Sequence, residues 1–117
     1  MNAEEMKTRT KQFALRVIKL TSGLPRSDVG RVIKNQILRS GTSVGANYRA
    51  ACRAKSTADF LSKMATVEEE ADETMYWMEL ILEAGLMSKE QISDLYGEAN
   101  EILAIIVSSI KTARKQS

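Results

Sequence analysis

Four stretches of this chain repeat apolar residues at three- and four-residue intervals, and each is bounded by residues that start or stop helices. That pattern leaves few folds open. In the first stretch Met6, Phe13, Val17 and Leu20 share a stripe that ends near Gly23-Leu24-Pro25, because Pro25 disfavours helical geometry in the residue before it. The second can begin at Ser27, whose hydroxyl can accept an orphan backbone N–H. Ser56 with Asp59 offers an approximate capping box for the third, and Gly85 a C-terminal stop. Ser88 with Gln91 repeats that signature for the fourth, where Ile92, Leu95, Ala99, Ile102, Ile106 and Ile110 hold one face almost to the end. No stretch reads as a strand. Short connections make consecutive helices antiparallel neighbours. The prediction is an all-α, antiparallel up-down-up-down four-helix bundle in one domain, residues 1–117, with helices at about 3–22, 28–54, 57–84 and 89–114.

Within the second helix Gly41 and Gly45 lie four apart, with Ala46, Ala50 and Ala51 beyond, exposing backbone so that another helix can pack closely. Gln36 and Asn47 fall on or near the inner stripe, where a buried amide must find hydrogen bonds and can fix helix register. The third helix carries more apolar surface than one core needs. At about 100° per residue, Phe60, Met64, Val67, Ala71, Met75, Met78 and Leu82 cluster on one face, and Trp77, Ile81 and Ala84 on another a quarter turn away. Two explanations stand: a wide face touching two neighbours inside one bundle, or Trp77, Ile81 and Ala84 buried between identical subunits.

Charge is sorted by helix. Residues 1–25 carry five basic and two acidic groups, 26–55 seven and one, 56–85 one and eight, and 86–117 four and four. On the second helix Arg31, Lys34, Arg39, Arg49 and Arg53 fall within about 80° of Arg31, a basic stripe about 30 Å long. On the third, Glu68, Asp72, Glu79 and Glu83 form an acidic stripe, with Glu70 and Glu73 nearer the Trp77 face. The stripes can pair with each other, within a chain or between subunits. Alternatively the basic stripe stays free and tracks phosphates, with Tyr48 as a stacking group.

Several motifs follow in order: Leu24-Pro25, Gln36-Ile37-Leu38-Arg39-Ser40, Ser43 to Asn47, Ser56 to Phe60, and Glu70 to Trp77. On these the chain resembles, over about residues 10 to 114, a family of four-helix bundles. That family includes the intervening-sequence proteins encoded inside 23S ribosomal RNA genes and the accessory variability proteins of diversity-generating retroelements. The resemblance implies a homo-oligomer in the form of a pentameric ring. It also implies a basic surface of the kind with which the accessory variability proteins engage reverse transcriptase and RNA. The chain departs from the family pattern at Ala50, where many members have Glu, and at Glu69, where Lys is frequent.

Catalytic groups are hard to find. Histidine, the commonest general base, is absent. Gly41-Thr42-Ser43-Val44-Gly45 lacks the Gly-Lys-Ser/Thr ending of a phosphate loop and has no preceding strand. Glu69, Glu70 and Glu73 have no Glu-x-x-His motif beside them, so they read as a solvated or ion-paired face instead of a carboxylate metal site. The single cysteine, Cys52, reads as a small packed residue. The start shows no apolar core of signal-peptide length, and the longest apolar run, Ile102 to Val107, is too short to span a bilayer. The expectation is a cytoplasmic, homo-oligomeric protein without enzymatic activity, metal or cofactor. It would bind RNA, or a nucleic-acid-processing protein, through the second helix. The alternative is a ring built only for protein contacts.

Overall fold

The computed structural model describes residues 1–116, which form four α-helices: α1, Ala3–Thr21; α2, Asp28–Ala51; α3, Thr57–Glu83; and α4, Lys89–Gln116. Each helix starts on a side chain that satisfies exposed backbone donors. The Asn2 amide oxygen accepts from the Glu5 N–H at 2.8 Å, and Ser27 and Ser56 accept from Gly30 and Asp59, each at 3.0 Å. Gln91 Oε1 accepts from the Ser88 N–H at 2.9 Å and Ser88 Oγ from the Gln91 N–H at 3.3 Å. Replacing one such cap by alanine costs about 1 kcal/mol.

The helix ends are equally local. Residues 52–54, expected to be the last of α2, form a turn instead: Arg53 and Ala54 donate to the carbonyls three residues back, Ala50 and Ala51, at 3.1 Å. At the end of α3, Gly85 adopts φ 70°, where a Cβ would be strained. Leu86 N–H then reaches the Ile81 carbonyl at 2.9 Å and Gly85 N–H the Leu82 carbonyl at 3.1 Å, the paired bonds of a Schellman motif.

Each helix packs on its two neighbours in a closed order, α1–α2–α3–α4 and back to α1, with no close backbone approach across the diagonal among the described residues, in a rod of 47 × 22 × 21 Å. The helices run antiparallel, because Gly41 and Gly45 of α2 lie beside Val17 and Thr10 of α1, and Glu79 of α3 bonds Tyr96 of α4. The α1–α2 approach is close: a Cβ built on Gly41 would lie 2.8 Å from a Val17 methyl, and one on Gly45 3.3 Å from Thr10 backbone. Asn47 takes a lesser part, since its half-buried amide donates to the Ser43 carbonyl of its own helix at 2.8 Å and bridges no neighbour.

The core is filled by Phe13, Val17, Ile37, Val44, Met64, Met78, Ile102 and Ile106 with their neighbours. On α3 the buried residues are Met64, Val67, Ala71, Thr74, Met75, Met78 and Ile81. Ile81, expected on the subunit-interface face, is 0% exposed inside the chain's own core, while Leu82, expected inside, is 39% exposed. The cause is the period. Apart from Met75, the buried positions step by three and four in alternation, a 3.5-residue repeat, whereas a straight wheel at 3.6 drifts about 20° per heptad and reaches Leu82 in place of Ile81. Ala84 is exposed and Trp77 half-buried against the core. The wide face therefore serves its own bundle at Ile81. One polar contact sits among these apolar groups: Ser40 of α2 and Thr74 of α3, both 0% exposed, share a hydrogen bond at 2.9 Å.

Candidate nucleic-acid interface

The five cations of the basic stripe separate into two sets. Arg39 turns to α3, where its guanidinium donates to Glu70 Oε2 at 3.1 Å and to Glu73, whose Oε2 also accepts from Trp77 Nε1 at 2.9 Å. It belongs to an α2–α3 clamp and leaves the free stripe. Arg31 bonds Asp28 one turn before it. Lys34, Arg49 and Arg53 are exposed and, among the described residues, have no ion-pair partner.

Tyr48 does not accompany them. It is 9% exposed and packed in the core, so it presents no face for stacking, contrary to the sequence expectation. Burial above all, and the neighbouring Cys52 thiol, push its hydroxyl up to about 12.

The remaining cations meet others that the helix-by-helix charge count did not assign to a site. Because Gly41 and Gly45 draw α1 against α2, a recess of about 410 Å³ forms between the helices, with Lys7 and Lys11 on one wall and Arg49 on the other. Lys7 is paired with Glu4 at 3.0 Å, whereas exposed Lys11 has no ion-pair partner among the described residues. A second recess of about 460 Å³, at the α1–α2 turn, is lined by Arg26, Arg31 and Lys34. One face of the rod thus carries two cationic recesses, built by two helices. The signal for Lys11 and Arg26 lay in the same sequence, in the glycine pair that dictates which neighbour α2 approaches.

The α3–α4 side has the opposite sign, with Glu68, Glu69 and Asp72 around a groove of about 310 Å³. Between the two sides Arg9 of α1 donates Nε and Nη2 to the two carboxylate oxygens of Glu98 on α4, each at 2.7 Å. This bidentate pair raises the Arg9 pKa and holds the Glu98 carboxyl below its usual range. A recess of about 620 Å³ at one end of the bundle is lined by Met6, Tyr48, Phe60, Ile105 and Thr112 among others, and Tyr48 is its one ionisable side chain. Among the described residues no cluster of His, Cys, Asp or Glu is placed to hold a metal ion, and no helix is long and apolar enough to cross a membrane.

The fold and this face define a small antiparallel four-helix bundle with a cationic groove between its first two helices. The chain belongs to the 23S rRNA-intervening sequence protein family, whose family model matches residues 4–108. It is similar to a crystal structure from Bacteroides thetaiotaomicron VPI-5482, a protein of unknown function from the S23 ribosomal protein family. The two share 39% identity and a TM-score of 0.84, over 91% of this chain and 98% of that one. No curated protein matches the chain.

Proposed function

We propose that this chain is a non-enzymatic, cytoplasmic accessory protein that binds RNA, or a nucleic-acid-bound partner, through the α1–α2 face. The observation that carries the reading is the convergence of Lys11 and Arg49 on one recess, with Lys34 at the next, none of them ion-paired among the described residues. Membership of a family named for a ribosomal RNA element agrees with it. Cations lining a groove attract phosphates by releasing condensed counterions, which makes affinity fall with salt. The test is fluorescence anisotropy of a labelled structured RNA titrated at several salt concentrations. Lys34→Glu with Arg49→Glu should weaken binding and reduce the slope of log affinity against log salt by about two, with unchanged native mass. Absence of binding by the native protein at low salt would retire the reading and leave a bundle made for protein contacts.

We also propose self-association, into the pentameric ring that the family resemblance implies, through exposed apolar side chains of α3 and of the far side of α2, none of which lines a cationic recess. Val29 and Val32 are 57% and 58% exposed there, and Tyr76 on α3, stacked edge-on against Trp77 at 5.2 Å, is 52% exposed. Exposed apolar groups of this size mark contact surfaces when they gather. Tyr76→Ala with Val32→Ser should lower the native mass measured by light scattering. A monomeric wild type would sink the proposal.

A further inference from the structure

We infer that the α1–α2 face takes double-helical RNA, held by its phosphates, in preference to a single strand; this rests on the RNA-binding reading above. Proteins that hold single strands stack the bases on aromatic side chains beside a cationic track. This chain has three tyrosines, two phenylalanines and one tryptophan, and none lines either cationic recess. Phe13 and Tyr48 are in the core. Phe60 is half-buried on α3, where Tyr76 and Trp77 pair with each other, and Tyr96 of α4 donates to Glu79 at 2.8 Å. The face offers charge without platforms for bases.

Spacing points the same way. Lys34 and Arg49 stand on one continuous helix, roughly 22 Å apart at 1.5 Å per residue. That helix is fixed on one side by the close α1 approach at Gly41 and Gly45. On the other it is fixed by the Ser40–Thr74 bond and the Arg39 clamp to Glu70 and Glu73. The two recesses are therefore at constant separation. A flexible strand must lose conformational freedom to reach both, whereas a duplex presents phosphates already fixed in space, and shape-directed recognition of A-form RNA uses such backbone contacts.

The experiment is a competition between a perfectly paired RNA duplex and an unstructured single strand carrying the same number of phosphates, both at physiological salt. The native duplex complex should be at least about tenfold tighter, and its affinity should depend on both Lys34 and Arg49, tested singly as glutamine variants checked for fold by circular dichroism. A duplex too short to span the two recesses should lose its dependence on one of them. Equal or tighter binding of the single strand overturns the duplex inference while leaving RNA binding in place. Binding of neither RNA overturns the functional reading itself.

Discussion

The most direct test of the α1–α2 approach is a double-mutant cycle on Gly41 and Val17. Alanine at a helix-interior glycine gains about 1 kcal/mol from propensity alone. At Gly41 the new Cβ would meet Val17 methyls at 2.8 and 2.9 Å, well inside van der Waals contact, and Val17 is 0% exposed with packed neighbours on every side. Overpacking of that kind costs about 1–3 kcal/mol, so Gly41→Ala should lower stability by roughly 0–2 kcal/mol despite its better propensity. Val17→Ala alone opens a cavity and should cost about 2 kcal/mol. In the Val17→Ala background the two methyls are gone and only the residue-17 Cβ, 3.1 Å from the new one, still crowds it, so Gly41→Ala should cost less than in the wild type or turn stabilising. The coupling between the sites is then about 1–3 kcal/mol. Gly97 supplies the control, because a Cβ there meets nothing within 4 Å, so Gly97→Ala should stabilise by up to about 1 kcal/mol. Urea unfolding at one fixed protein concentration measures all five proteins, the fixed concentration being needed if subunits associate. If Gly41→Ala has the same effect with and without the Val17 methyls, close approach is not what requires glycine there.

Two further predictions concern polar contacts inside the bundle. Glu98→Gln should cost about 1–2 kcal/mol at neutral pH, because it removes the charge from the bidentate Arg9 contact. Since the folded Glu98 pKa is lowered, chiefly by that hydrogen bond, its contribution is complete above the ordinary carboxylate value, about 4.3, and is lost as pH falls through the lower folded value. The gap between wild type and Glu98→Gln in urea unfolding should narrow in acid; a gap that widens would contradict the linkage. Thr74→Val should cost about 1–3 kcal/mol by leaving the fully buried Ser40 hydroxyl without its cross-helix partner, and adding Ser40→Ala should recover part of that loss.

Fold class was open to sequence reasoning because each boundary is chemically local. Ser27, Ser56 and Ser88 cap helices, and Gly85 ends one, by bonds within a few residues of themselves. What depends on the relative phase of two helices was not. A wheel of one helix placed Ile81 outside and Leu82 inside, because it cannot know that neighbouring helices pull the seam toward a 3.5-residue repeat. Tyr48 was misplaced for a related reason: it stands next to Arg49 in sequence, but a step of one residue turns the side chain by about 100° and carries it into the core. The cationic face was half legible. Lys34 and Arg49 could be grouped from α2 alone, whereas Arg53 lies in the turn beyond its end, and Lys7 and Lys11 join the face only once the glycines are known to face α1.

That arrangement has an energetic signature which separates a binding face from a structural one. Charges that tie one helix to another are paired, as Arg39 is with Glu70 and Glu73 and Arg9 with Glu98. Arg49 instead shares a recess with Lys7 and Lys11, two groups of its own sign, and with Glu4, which is paired to Lys7. At an exposed site such repulsion amounts to a few tenths of a kcal/mol, up to about 1. Arg49→Gln should therefore leave stability unchanged or raise it slightly, and added salt should narrow the difference by screening. The same variant should weaken RNA binding, the opposition of stability and function expected where a site is kept against the interest of the fold. A loss of more than about 1 kcal/mol in Arg49→Gln, with RNA affinity unchanged, would mean that Arg49 is held there for packing and that the α1–α2 face is not a binding surface.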